Sequence, residues 1–412
     1  MIDTAYTPPA GIARLQRLAL IVGIAGLAVF VAGAFIVDQG RVQFWRSYLV
    51  GYLFWTGVAV GALALLMLQH LTGGGWGLVI RRALEAASRT LPLMALLFVP
   101  VVLGATSIYS WTHPDVVKSS EVLKEKALYL NLKFFTLRAA IVFAIWLLLS
   151  FFLNRWSKEQ DRTADRQYAK KLRMLSGPGM VLFVFTVTLS AIDWVMSLDP
   201  TWSSTIFGLL FVAAWALTAL AFVIAILAWL SKSEPMAHVV APLHFHDLGK
   251  LLLALVMLWA YFSYSQFLII WSGNLPEEIS WYHPRTSGTW GAIALAVVIL
   301  HFALPFLFLL SRRLKRDPHK LVVVAVLILV MRYVDLLWVV EPNFPRAQFH
   351  PRWIFMDVAA AVGLGGLWLA AFFRQLSQRP LMPINDPQLP GVLEQINEHH
   401  HQSPEFIEET EA

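Results

Sequence analysis

Ten stretches of about twenty apolar residues recur along this 412-residue chain, at 16–37, 48–70, 91–110, 131–153, 178–198, 204–230, 251–271, 289–310, 321–340 and 353–373. A helix rising 1.5 Å per residue needs about 20 residues to cross a hydrocarbon core, where unpaired backbone amides are too costly for any open structure. The pattern predicts an all-α membrane protein, a bundle of ten transmembrane helices. The ten-residue alternation of a membrane β-barrel is absent. Composition agrees: 58% of residues are hydrophobic and 14% are charged, about half the usual charge of a soluble domain. Such a chain is not a soluble, disordered or nucleic-acid-binding protein. With no cysteine, disulfides, Cys-ligated iron–sulfur clusters, Cys₄ zinc sites and covalently attached haem are excluded.

The basic residues orient the spans. Of 32 Lys and Arg, 21 fall in loops on the side of the N-terminus, eight on the other side, and three (Lys133, Arg138 and Arg332) within spans. This bias puts both termini in the cytoplasm. The first span, preceded by Arg14 and Arg17, is longer than a signal-peptide core and reads as an uncleaved anchor. The chain divides into an N-terminal tail over 1–14, a ten-helix domain over 15–373 and a cytoplasmic tail over 374–412. In that tail Pro380, Pro383, Pro387 and Pro390 precede the acidic Glu405, Glu408, Glu409 and Glu411. The composition predicts disorder or docking on a partner. His399–His401 in this polar context carry no metal assignment.

Ionisable groups inside a membrane are expensive, so each is a functional candidate. In this orientation Asp193, Lys133, Arg138, Asp335, Asp357 and Gln266 (with Tyr261 and Tyr264 nearby) lie toward the outer face. Arg332 and His301 lie nearer the midplane. Arg332 and Asp335 are three apart on one helical face and can pair. Asp193 has no basic neighbour one turn away, so its partner must come from another helix. Lys133 can snorkel, Asp357 can reach headgroup water, and a lone His301 fits a hydrogen-bonded core position as well as a proton carrier. On the inner side, His244-Phe245-His246-Asp247-Leu248-Gly249-Lys250 leads into the seventh span. Asp247 can cap that helix, and histidine with aspartate at a water interface can pass protons near neutral pH. His244 and His246 lack the further ligands that a metal needs. Trp45, Tyr48, Trp111, Trp202, Trp271, Trp281, Tyr282 and Trp353 lie near span ends and fit an interfacial belt. There is no glycine-rich phosphate loop and no pairing of deep histidines for two haems.

Several strings are more specific. They are Asp193-Trp194-Val195-Met196-Ser197-Leu198-Asp199-Pro200, Trp202 to Gly208, His246 to Leu252, Trp259 to Phe267, and Ile270 to Glu278 with Trp281-Tyr282. With Arg14 to Leu20, Leu71 to Gly77 and Arg81-Arg82, they resemble the polysulfide-reductase-type (NrfD-like) membrane subunits of bacterial alternative complex III, over about 15–373. The length and short N-terminal tail are similar to the F-type paralogue, the second quinone-binding subunit. The resemblance implies two four-helix bundles with two peripheral helices, in a bacterial inner membrane. It implies support of quinol oxidation near the periplasmic face, with menaquinol or another quinol as reductant, and a proton-translocation path. No cofactor is expected in this chain. Haems and iron–sulfur clusters are expected in partner subunits: a paralogous C-type membrane subunit, an iron–sulfur subunit and cytochrome c subunits. Proton-path or quinone-proximal candidates are Asp193, Tyr261, Gln266, Asp335, Arg332, Asp357, His301 and Glu277, with His246, Asp247 and Lys250 for proton intake. Two alternatives stand beside this: a purely structural anchor subunit, and a stand-alone secondary transporter. For a transporter, Gly57 with Gly61, and Pro305, are the candidate helix breaks.

Overall fold

The computed structural model describes residues 6–37, 40–344 and 354–394. Among them, ten helices are long and apolar enough to cross a membrane. They are α1 (Gly11–Ile36), α2 (Gly40–Thr72), α3 (Gly75–Leu103), α4 (Leu132–Thr163), α5 (Gln167–Leu198), α6 (Phe207–Leu230), α7 (Pro242–Gly273), α8 (Gly288–Leu310), α9 (Pro318–Asn343) and α10 (Ile354–Leu376). No strand occurs among the described residues. The chain is an all-α, multi-pass membrane bundle.

Each predicted span has its helix, but hydropathy misses the polar turns. The third helix begins at Gly75, not residue 91, and α4 continues to Thr163, well past 153. Arg81 and Arg82, assigned above to a loop, therefore lie within α3 and are buried. An apolar window ends where polar side chains begin, whereas a helix continues wherever those side chains find partners.

Packing follows the predicted division. Helices α2 to α5 form one four-helix bundle and α6 to α9 a second, while α1 lies along α10 outside them. At the centre α2 meets α6. A Cβ on Gly61 would stand 2.0 Å from the Trp215 carbonyl oxygen, and one on Gly57 would stand 2.6 Å from the Trp215 ring. These glycines admit α6 and do not break α2, which runs through both. The α1–α10 seam uses the same device. A Cβ on Gly366 would lie 2.3 Å from Gly23 Cα, and one on Gly26 would lie 2.8 Å from Gly363 N. Pro305 does adjoin an irregularity, a π-helical turn at Val297–Ala303. Proline lacks the amide that would continue the ladder, so the turn widens without unwinding.

After α10 the chain folds back on the N-terminal end of its own bundle. Leu381, Met382, Leu389 and Val392 are buried there, and the Leu381 amide donates to Tyr6 O at 2.9 Å. Residues 377–394 are thus packed on the bundle and not disordered: Leu381, Met382 and Leu389, between the prolines, and Val392, just after them, anchor the segment. His399–His401 and the acidic glutamates lie outside the described residues. The aromatic belt also needs correction. Tyr48, Trp111, Trp202, Trp281 and Tyr282 are buried, with Trp202 stacked on Trp281 at 4.7 Å, while Trp271 is exposed. Trp353 lies outside the described residues.

Candidate functional site

A cavity of about 480 Å³ lies between α2, α9 and α10, with α6 and α8 behind it. Its walls are apolar and aromatic, built from Phe54, Trp55 and Val58 of α2, Phe222 of α6, Trp290 of α8, Tyr333 and Leu337 of α9, and Val358 of α10. One end is polar. Gln43 opens α2, Glu341 closes α9 and Asp357 opens α10, so alternating helix direction brings all three to the end opposite the N-terminus. All three are buried. The Gln43 amide nitrogen donates to both carboxylates, at 3.1 Å to Glu341 Oε1 and 3.2 Å to Asp357 Oδ1. Ser47 Oγ donates to the same Asp357 oxygen at 2.5 Å, and Tyr333 OH donates to the Asp357 carbonyl at 2.6 Å. Gln43 Oε1 has no partner among the described residues. The cavity end is therefore rich in acceptors, with the buried Arg46 guanidinium near enough to attract both carboxylates. Its other wall reaches Val330 and Val358, both more than half exposed, so it opens sideways on the apolar outer surface.

Asp357, a proton-path or quinone-proximal candidate whose alternative was to reach headgroup water, is buried in this cluster. Gln43 and Glu341 were missed because they lie just outside the hydropathy windows. Their signal was the helical spacing of Gln43, Arg46 and Ser47, and a glutamate directly after a twenty-residue apolar run.

The remaining candidates separate. Asp193 finds its partner on another helix, as expected: Arg138 Nε and Nη2 donate to its two oxygens at 2.7 and 3.0 Å. The guanidinium lies over the Tyr129 ring at 3.8 Å. Burial, with the nearby Asp193 carboxylate, raises the Tyr129 phenol above its ordinary value. Gln266 donates to Tyr282 OH at 3.3 Å and accepts from Ser204 Oγ at 3.0 Å, and burial pushes the Tyr282 phenol up to about 12. Tyr261 and Tyr264 do not join it: both point outward from α7, 64% and 63% exposed. Glu277 is exposed in the loop beyond α7. Arg332 pairs with Asp335 inside the second bundle, as their spacing predicts. His301 departs from the hydrogen-bonded expectation. It sits on the π-helical turn, edge-on to Trp259 at 4.3 Å, and neither ring nitrogen has a partner among the described residues.

A polar seam along α4 was not foreseen. Trp146, Ser150, Asn154, Ser157 and Asp161 recur every three or four residues on one buried face. At the N-terminal end Glu85 accepts from Ser157 Oγ at 2.5 Å, Arg82 at 2.7 Å, Arg379 at 3.0 Å and Arg81 at 3.2 Å. Asp161 pairs with Arg82 at 2.5 Å. Further along, Asn154 donates to Ser88 Oγ at 3.1 Å, and Ser150 to the Ser88 carbonyl at 3.0 Å. Trp146 Nε1 then reaches Thr186 at 2.8 Å, and the Thr186 carbonyl accepts from Ser190 Oγ at 2.8 Å, one turn before Asp193 on α5. The Arg81-Arg82-x-x-Glu85 spacing was the readable signal. The basic count instead assigned it to a loop.

At the start of α7 the amide of Ala241 donates to His244 Nδ1 at 3.0 Å, so His244 caps this helix, not Asp247. Asp247 pairs with Lys250 at 3.2 Å, and His246 is mostly buried beside them. No protein-family model matches this sequence, and no curated protein matches it.

Proposed function

We propose that the chain is the membrane subunit of a quinol-oxidising complex of the alternative complex III kind, with its N-terminal end in the cytoplasm of a bacterium. The observation that carries this reading is the apolar cavity ending in Gln43, Glu341 and Asp357. A quinol is a long apolar tail bearing two hydroxyl donors. It needs a slot open to lipid, acceptors at the closed end, and a base to take each proton as electrons leave. Gln43 Oε1 and the two carboxylates supply acceptors, and the positive bias of the other end supports a periplasmic location for them. Electrons pass to haem and iron–sulfur partners, since this chain has no cysteine to ligate clusters. The α4 seam, from Asp161 and Glu85 toward Asp193, supports a proton path through the first bundle, separate from the cavity. Arg138–Asp193 and Arg332–Asp335 are closed ion pairs that suit helix packing, so the carboxylates at the cavity are the better candidates for proton release.

The test is kinetic. Asp357→Asn and Glu341→Gln, in the purified complex, should each lower quinol oxidation by about a hundredfold or more, the ordinary range for losing a general base. Unchanged rates in both variants remove the cavity from catalysis. Purification of the native chain as a monomer that catalyses solute uptake would replace the whole reading with transport.

A further inference from the structure

At the N-terminal end of the second bundle, the first turns of α7 face the short helix Arg312–Arg316 that joins α8 to α9. Gly249 makes the approach possible: a Cβ there would stand 2.7 Å from Lys315 Cγ, so the lysine stem lies on the α7 backbone. Lys315 is 8% exposed, yet it has no ion pair or side-chain hydrogen bond among the described residues. Arg316 has none either. His246, 9% exposed, leaves its Nδ1 without a hydrogen-bond partner in the same corner. Beside Lys315, Arg316 and the His246 imidazole stands Asp247, which holds Lys250 at 3.2 Å and lies 3.8 Å from His246 Nδ1. Asp317 is occupied by Lys320 at 3.1 Å and by the amides that open α9. Burial and the neighbouring Lys250 both lower the Lys315 pKa, as expected where positive charge is crowded without an anion. Immediately above, the last turn of α8 presents Leu307, Phe308 and Leu310 on the outer surface, each more than two-fifths exposed. Unneutralised cations directly below a lipid-facing apolar surface are complementary to one class of molecule, with phosphate at one end and acyl chains at the other.

We propose that Lys315, Arg316 and His246 form a binding site for the phosphate of an anionic phospholipid, whose chains lie along the end of α8. The site is independent of the quinol reading, and it assigns His246 to headgroup binding in place of proton intake.

The experiment follows thermal unfolding of the full chain, purified from membranes and delipidated in detergent, on addition of phosphatidylglycerol, phosphatidylcholine or inorganic phosphate. Phosphatidylglycerol should raise the midpoint by several degrees, and phosphatidylcholine should not. Lys315→Gln and the exposed Arg316→Gln should each reduce that rise by at least half, while Lys320→Gln, whose lysine is paired with Asp317, should retain it. Arg316→Gln keeps the test open if the buried Lys315→Gln does not fold. An equal rise with phosphatidylcholine, or an undiminished rise in Arg316→Gln, overturns the site. An equal rise with inorganic phosphate alone overturns the lipid assignment.

Discussion

Arg138 reaches from α4 to Asp193 on α5 with two parallel hydrogen bonds, 2.7 and 3.0 Å long. A planar guanidinium matches a carboxylate in this geometry, and the pair is mostly shielded from solvent. Breaking one side of such a pair leaves an uncompensated charge. Arg138→Leu should therefore destabilise the bundle by about 3–5 kcal/mol, whereas Arg138→Leu with Asp193→Leu should recover much of the loss. Thermal unfolding of the three variants in detergent checks this. A double variant no better than Arg138→Leu alone would mean that the two charges are not coupled.

The α1–α10 seam is the second point of attack. An alanine methyl at Gly366 has no room against Gly23, and overpacking of this kind costs about 1–3 kcal/mol. Gly177→Ala in α5 is the control, because nothing lies within 4 Å of its added Cβ. Gly366→Ala should lower the thermal midpoint and Gly177→Ala should not; equal behaviour would show that the seam tolerates a wider spacing.

Met382 is fully buried where the chain folds back beyond α10. Met382→Ala should cost about 2–5 kcal/mol, the usual range for truncating a buried methionine. Faster proteolytic cleavage between 377 and 394 in the variant is the expected readout, and an unchanged rate would show the segment to be loosely held.

Asp317 caps α9, accepting from the amides of His319 at 2.9 Å and Lys320 at 3.3 Å. The Lys320 ammonium, followed by these amides, holds its carboxyl below the ordinary value. A carboxylate with a depressed folded-state pKa adds stability above its unfolded pKa, and that stability is lost as pH falls through the folded value. Asp317→Asn keeps a cap acceptor but has no charge to lose. Unfolding midpoints of the two proteins should differ at pH 7 and converge as the pH falls below the ordinary carboxylate range; a constant offset from neutral to strongly acid pH would refute the assignment.

The ten helices were legible because the bilayer imposes one length and one composition on every span, whereas the two-bundle grouping was implied only by the resemblance. The boundaries were not. Glu85, Arg81 and Arg82 look like loop residues until Ser157, Asp161 and Arg379 are seen to satisfy them, and those partners are remote in sequence. Spacing alone identified Arg332–Asp335, because both lie on one helix. It required a partner for Asp193 without being able to name Arg138. Gln43, Glu341 and Asp357 were the hardest to foresee. Three helix ends, one of them 298 and 314 residues from the other two, meet only through the alternation of helix direction.

The pairing of α1 with α10 also constrains the order of events during synthesis. Of these ten helices, the first made packs chiefly on the last made, so it waits in the bilayer while the eight between them are made. Its lipid-facing side chains, exposed even in the finished bundle, make that wait tolerable. A chain cut short before Ile354 would leave Gly23 and Gly26 facing lipid with no helix to cover them. The glycine seam thus closes only once α10 has been made.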